Sequence, residues 1–421
     1  MEFNETTGLK EPRDRFWFVY LVFYYIGLTI MFPYSMLITI TDFWYYKFRN
    51  TSIPFNTTTD QLTEMQINFP AYLSVTGNVP LTVLVVLTVV LGYRINIRLR
   101  LLISACLMVV TFAIITLFSG LNTDDWQDGL FLAVLLVNTI YSSVNAIFQA
   151  SFLGNLGRFP PRYIGSANDG MGFGSALPAI INIIIIAVGS NQENIGVICM
   201  SFSVLVILVM IALYIPASNT DFYTHHAGLQ DLHQGTAGIS DYLEVLKKTW
   251  IYVLVIFVNY GQTLALYPAV AALVKPVSQD SSRWNEVYFL PVCCFLFQAL
   301  GDWIGRSIAT FTQWPGPGKY SEIGMLVSVL LRGGVIPLVM RCNIAPLNRS
   351  TDILFKSDLA FIIIFGIFNI SGGFIGNVSL MLGPKKVGLD LQEVSGTIFI
   401  AILVFGLGLG SLLGPSLVSL L

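Results

Sequence analysis

The feature that most constrains this chain is a succession of apolar runs, about eleven of them, each near the roughly 20 residues a helix needs to cross a bilayer. They lie near residues 16–40, 69–92, 100–120, 129–154, 166–189, 194–216, 249–274, 287–311, 322–340, 358–382 and 395–420. Inside lipid a segment must satisfy its own backbone hydrogen bonds, so each run reads as a helix. Composition agrees: 55% of the 421 residues are hydrophobic and only 11% are charged, whereas a soluble domain carries about 25% charged residues. The expected fold class is an all-α polytopic membrane protein, with the lipid bilayer as its surroundings.

The few charges set a topology. Net charge is −2, so nothing points to nucleic acid. Arg94, Arg98 and Arg100 cluster after the second run, Arg158 and Arg162 after the fourth, Lys247 and Lys248 before the seventh, and Lys385 and Lys386 after the tenth. Excess Lys and Arg marks the cytoplasmic side, and with eleven spans all of these fall on one side. The acidic stretch 122–128 falls on the other, as does 342–357, where Arg349 and Lys356 are a mild exception. The polar loop 42–68 carries two glycosylation acceptor patterns, at Asn50 and Asn56, which fit an external surface. The N-terminus is therefore expected in the cytoplasm and the C-terminus outside. The first run is too long for a cleavable signal and reads as an uncleaved span. The longest internal loop divides the chain into 1–217 with six spans, a cytoplasmic linker 218–247, and 248–421 with five.

Polar residues recur inside the runs. In the eighth, Asp302 and Arg306 stand four apart, on one helix face, where they can pair. Charges at membrane depth are expensive and usually face the protein interior or a wet cavity. Pro33 is followed at once by Tyr34 and Ser35, and Asn78 precedes Pro80 and Leu81, so polar groups sit beside proline breaks. Ser142, Asn145 and Gln149 line one face of the fourth run. Asn259, Gln262, Thr263 and Tyr267 mark the seventh run, Arg332 the ninth, and Asn369 and Asn377 the tenth. Asp169, near the start of the fifth run, reads as an interfacial acid at a helix start or as a cation contact. Such a lining suits a solute pathway. A membrane enzyme would need an assembled nucleophile or metal constellation. Here His225, His226 and His233 all fall in one loop, expected to be solvated, and the five cysteines have no ligand spacing. No metal, cofactor or catalytic role is expected. A receptor would not need so many polar groups at mid-depth.

Several of these stretches resemble the equilibrative nucleoside transporters. The carriers are Asp302-Trp303-Ile304-Gly305-Arg306 and Gly383-Pro384-Lys385-Lys386-Val387. Phe148-Gln149-Ala150-Ser151, Gly170-Met171-Gly172 and Tyr267-Pro268-Ala269-Val270 support them, in the family's order and over nearly the whole chain. The resemblance implies a major-facilitator-like, two-lobe (6+5) arrangement of eleven helices. It also implies facilitated diffusion of nucleosides, with nucleobases as a further class, by alternating access of a plasma-membrane monomer. By the same resemblance Asp302 and Arg306 contact the ribose and Gln149 the base, and Leu81 and Tyr267 are pocket walls. Tyr34 stands where many members have a tryptophan against the base, and Ser35 where they have asparagine. Asn145 replaces the glycine of inhibitor-sensitive members, Asn78 an apolar residue and Ala299 a polar one. Asn78 and Asn145 thereby join the candidate substrate contacts and bear on inhibitor sensitivity and base selectivity. Two readings compete within transport: an organic-cation or monoamine carrier using Asp169 as counter-ion, and a proton-coupled nucleoside carrier in which Asp169 titrates.

Overall fold

The computed structural model describes residues 12–51, 63–91, 96–188, 192–228, 238–278, 282–344 and 352–420. Each of the expected runs is helical over most of its described residues, and the seventh leaves the helix after Leu266. In chain order the helices are α1 (Phe18–Thr39), α2 (Thr41–Lys47), α3 (Glu64–Leu91), α4 (Ile97–Gly120) and α5 (Gln127–Leu156). Next come α6 (Pro161–Val188), α7 (Gln192–Ala217), α8 (Asp221–Gly228), α9 (Ile239–Leu266) and α10 (Phe297–Thr312). The chain closes with α11 (Lys319–Gly333), α12 (Val335–Met340), α13 (Asp358–Leu382) and α14 (Gln392–Ser419). Among the described residues nine helices are long and apolar enough to cross a membrane. Two expected spans differ from that pattern. In α3 the apolar stretch is the shorter Tyr72–Thr88. The eighth run starts with π-helical turns, Trp284–Tyr288 and Pro291–Leu296, before α10.

Local chemistry fixes several helix ends. Asn96 caps α4 by accepting from the Arg98 N–H at 2.9 Å. Asp241 reaches back to the Gly238 N–H at 2.8 Å, closing the first turn of α9. At the other end of α10, Gln313 turns left-handed with φ 48, and Trp314-Pro315 follows, where no helix continues. At the end of α13 the chain runs on from the right-handed Gly383 into the 3-10 turn Gly383–Lys386, where Pro384 has no N–H to continue the α-helix. Two short helices were not expected: α2 lies in the loop read as 42–68, and α8 in the linker read as 218–247.

The chain divides into two compact units, one of Met1–Leu28, Leu153–Ala176 and Leu213–Leu421, the other of Thr29–Phe152 and Leu177–Ala212. In the first unit, glycines let helices approach backbone to backbone. Gly406 and Gly410 of α14 lie on Phe257 and Gly261 of α9, and Gly170 and Gly174 of α6 on Tyr24 and Leu28 of α1. Gly301 and Gly305 of α10 meet Asn369, Ile370 and Phe374 of α13. Numbers rise together along these last two helices, so α10 and α13 run parallel. A sealed apolar cluster, with Phe361, Phe365 and Phe368 of α13 packed on Cys293, Cys294 and Cys342, fills one end of this unit. In the second unit, Arg49 pairs with Asp124 at 2.8 Å and Gln127 donates to the Lys47 and Arg49 carbonyls. The segments after α2 and α4, both expected outside, therefore share one end.

Candidate functional site

Helix α10 has two faces. Ile304, Ile308 and Phe311 are exposed, as a lipid-facing surface should be. Asp302 and Arg306 lie on the opposite face, with side chains 21% and 12% exposed. The Asp302 Oδ2 accepts from Arg306 Nε at 2.7 Å. A charge-assisted bond of this length is among the stronger protein hydrogen bonds.

The surroundings of the pair come from three further helices. From α6, the Asn168 carbonyl accepts from Arg306 Nη1 at 3.3 Å. From α9, the buried Tyr260 lies near Arg306. From α13, Asn377 Nδ2 donates to the Arg306 carbonyl at 2.8 Å and to Thr310 Oγ1 at 2.9 Å. Gly373 places α13 directly on the Asp302 carbonyl. Asn168 and Tyr260 carried no special signal in the sequence. Asp169 is not an interfacial helix-start acid: α6 begins at Pro161, and Asp169 is 4% exposed and accepts from Ser307 Oγ at 2.5 Å. A carboxylate that deep requires a donor, and Ser307 supplies one from the residue after Arg306.

Arg332 of α11 is 3% exposed. Its donors go to neutral oxygens: Phe368 O at 3.0 Å, Asn259 O at 2.8 Å, Gln262 Oε1 at 3.3 Å and Thr263 Oγ1 at 2.9 Å. The guanidinium lies 3.8 Å from the Phe368 ring centroid, over its face. It joins α9, α11 and α13.

The other sequence-derived candidates separate by unit. Tyr267 belongs to the unit of Asp302 and Arg306; it follows α9, and its ring meets Phe295 edge-on at 5.9 Å. Tyr34, Ser35, Asn78, Leu81, Asn145 and Gln149 belong to the second unit. There Tyr34 lies over Gly77 of α3. Gln149 is 2% exposed, and among the described residues its Oε1 has no hydrogen-bond partner. Asn145 Nδ2 donates to the Ile30 carbonyl at 3.3 Å. Ser35 and Leu81 are half-buried, while Asn78 is exposed and donates to Ser74 Oγ at 3.1 Å. Asn50 is exposed; Asn56 and His233 lie outside the described residues.

The Gly383–Val387 motif closes one end of the first unit. Lys385 Nζ donates to the Gly157 carbonyl and Gln392 Oε1, both at 2.9 Å. Arg158 pairs with Glu393, and Lys386 with Glu322. His226 of α8 is not solvated, as the loop reading expected. It is buried against Phe159 and Phe222. Burial pushes its imidazole down to about 4, and His225 and Lys385 act in the same direction. No group of His, Cys, Asp and Glu that could hold a metal occurs among the described residues.

A family model for nucleoside transporters matches residues 134–241 and 233–418. The chain belongs to the nucleoside transporter family. Among relatives of this transporter, rat equilibrative nucleoside transporter 1 is 27% identical, over 97% of this chain and 98% of its own length. Rat equilibrative nucleoside transporter 3 is 25% identical, over 96% and 89%. The human equilibrative nucleoside transporter 1 is 25% identical, over 96% and 98%. Of solved structures, the major facilitator superfamily proton:xylose symporter XylE superposes with a TM-score of 0.63 at 12% identity, over 94% of this chain and 87% of that one. The E. coli fucose:proton symporter FucP gives 0.52 at 11%, over 95% and 97%. These two likenesses show the fold. This transporter is a multi-pass, all-helical membrane protein of major-facilitator type, in a family of carriers and not of enzymes.

Proposed function

We propose that this chain equilibrates nucleosides across a membrane by alternating access, and that Asp302 and Arg306 hold the sugar. The observation that carries the proposal is the inward-facing pair on α10, half-shielded and bonded at 2.7 Å, in a chain of the nucleoside transporter family. Neighbouring ribose hydroxyls donate to a carboxylate and accept from a guanidinium, and such bonds are strong. Each partner releases the other for the sugar and takes it back afterwards, so the empty carrier never holds a bare charge in a poorly hydrated place. Gln149, whose Oε1 has no hydrogen-bond partner among the described residues, suits the edge of a base. Tyr34 offers an aromatic face to cover it, and Leu81 and Tyr267 the walls beside it. Asn78, Asn145 and Ser35 bear on which base is taken.

The lobes 1–217 and 248–421 are the halves that rock about this site, joined by 218–247. The protein works as a monomer in the plasma membrane, N-terminus inside and C-terminus outside, with glycans on Asn50 and Asn56. The test is labelled-uridine uptake in cells lacking their own carriers. The Asp302→Ala protein is expected at the surface and inactive; normal uptake by it rejects the sugar assignment. One observation favours a proton-coupled form: Asp169, buried and bonded to Ser307, lies beside Arg306. Its signature is uptake that rises as external pH falls in the wild type but not in Asp169→Asn.

A further inference from the structure

Asn369 of α13 has no assigned role. It is 2% exposed, and among the described residues neither its Oδ1 nor its Nδ2 has a hydrogen-bond partner. A buried amide left unsatisfied costs about 1–3 kcal/mol, and such a group in a native interior calls for an explanation. The neighbouring asparagines are bonded through one end of the amide. Asn377 Nδ2, two turns along the same helix, reaches the Arg306 carbonyl, and Asn259 Nδ2 reaches the Gly372 carbonyl at 3.0 Å, while among the described residues the Oδ1 of each has no hydrogen-bond partner; Asn369 differs in having neither end bonded.

The direction of the Asn369 side chain follows from the glycines around it. Successive helix residues step about 100°, so Asn369 lies about 40° from Gly373 and about 20° from Gly376 around α13. Gly373 faces the Asp302 carbonyl of α10. Gly376 faces Tyr260 and Asn259 of α9: a Cβ there would lie 3.0 Å from the Tyr260 hydroxyl and 3.1 Å from Asn259 Nδ2. The stripe that Asn369 occupies therefore points between α9 and α10. A Cβ on Gly301, the residue before Asp302, would meet the Asn369 Cβ at 2.8 Å. Arg332 takes the adjoining stripe, over Gly372, and its donors go to oxygens other than those of Asn369. The amide thus lies on the wedge that also holds Asp302, Arg306 and Tyr260.

We infer that Asn369 is a specificity-determining residue that reads a sugar hydroxyl beside the one held by Asp302. The inference rests on the sugar assignment proposed above and extends it. Ionised Asp302 only accepts and Arg306 only donates, whereas an amide does both. A hydroxyl also does both, so the two match. The position of Asn369 against Gly301 favours the sugar over the base, because an occupant bonded to Asp302 brings its neighbouring hydroxyl toward this stripe. A site that satisfies its buried polar group only through a substrate hydroxyl rejects analogues lacking that hydroxyl, since the group is then left unpaired.

The experiment compares uptake of uridine with 2′-deoxyuridine, 3′-deoxyuridine and adenosine by the wild type, Asn369→Ala and Asn369→Ser, normalised to surface protein. In the wild type one deoxyuridine is expected to be carried about tenfold less well than uridine, the size of one lost hydrogen bond. In Asn369→Ala uridine uptake falls to the level of that deoxyuridine, whose own uptake is unchanged, and the ratio collapses toward one. Asn369→Ser, which keeps a hydroxyl, lies between, and it carries the comparison alone if the alanine protein fails to reach the membrane. An unchanged uridine to deoxyuridine ratio in both variants overturns the inference, as does a uniform loss across all substrates. A shift confined to the adenosine to uridine ratio overturns it too, because the amide then reads the base. A wild type that carries no nucleoside sinks the proposed function itself, an outcome distinct from these.

Discussion

Arg306 and Arg332 are guanidinium groups in the same unit, against adjoining stripes of α13, and they are held in opposite ways. Arg306 has a carboxylate partner one turn away and a side chain that is 12% exposed. Arg332 is 3% exposed, and its hydrogen bonds go to backbone and side-chain oxygens that carry no charge. An ion pair can open, because a ligand with hydroxyls replaces each partner's lost bond. A guanidinium spread over several neutral acceptors on α9 and α13 has no single competitor, and nothing small displaces it. The first arrangement suits a site that must bind and let go, the second a staple between helices. Two adjacent glycines divide the work: Gly372 lies under Arg332 and Gly373 under the Asp302 carbonyl.

The sharpest way to break this contrast is at the carboxylate. Asp302→Asn keeps the shape but not the charge, and uridine uptake should fall about a hundredfold, the upper range for a hydrogen bond to a charged group, with surface protein retained. Uptake near wild type would make Arg306 a second staple. Next in size is Gly373→Ala. Its Cβ would fall 2.1 Å from the Asp302 carbonyl oxygen, backbone against side chain, so α10 and α13 must part. Destabilisation of about 1–3 kcal/mol is expected for such overpacking, read by thermal unfolding in detergent, together with reduced uptake. Gly372→Ala should do less harm, since it meets the guanidinium end of Arg332 at 2.5 Å. The reverse ranking would overturn the division of labour.

For Arg332 itself, Arg332→Leu is expected to lower stability by about 2–3 kcal/mol, and Arg332→Lys to rescue it only in part, because one ammonium cannot reproduce the planar fork. Uptake per folded molecule should fall less than in the Asp302 variant; a greater fall would place Arg332 in the sugar site. The smallest effect on transport is expected at His226, a base outside the spans. Its folded value of about 4 lies below the usual 6.5 or so of the unfolded chain. As pH falls through that window the unfolded state takes up a proton first, so stability is present above about 6.5 and lost toward 4. His226→Phe should flatten this slope without changing uptake at neutral pH. An unaltered slope would mean that other groups carry it.

The helix inventory was legible because hydropathy is a one-dimensional property: about twenty apolar residues in a row have few alternatives. Asp302 and Arg306 were legible because a spacing of four places two residues on one face of any helix. Short helices such as α8 were not, since tertiary contacts hold them: His226 is buried by Phe159, far away in sequence. Asp169 looked interfacial only while the start of α6 was unknown. Asn369 was one polar residue among several in its run, and its direction depends on which neighbouring helix Gly373 and Gly376 face.

From its residues alone, the chain was bound to be an all-helical bundle in lipid with an acid–base pair turned inward. Lipid leaves the backbone no other way to satisfy its hydrogen bonds and makes an outward charge too costly. Packing between helices decided the remainder: which cation pairs and which staples, that Asp169 lies deep on Ser307, and that the amide of Asn369 has no hydrogen-bond partner among the described residues. Those outcomes depend on the rotation of each helix against its neighbours, set by close glycine contacts between segments far apart in the chain, which no single run of residues encodes.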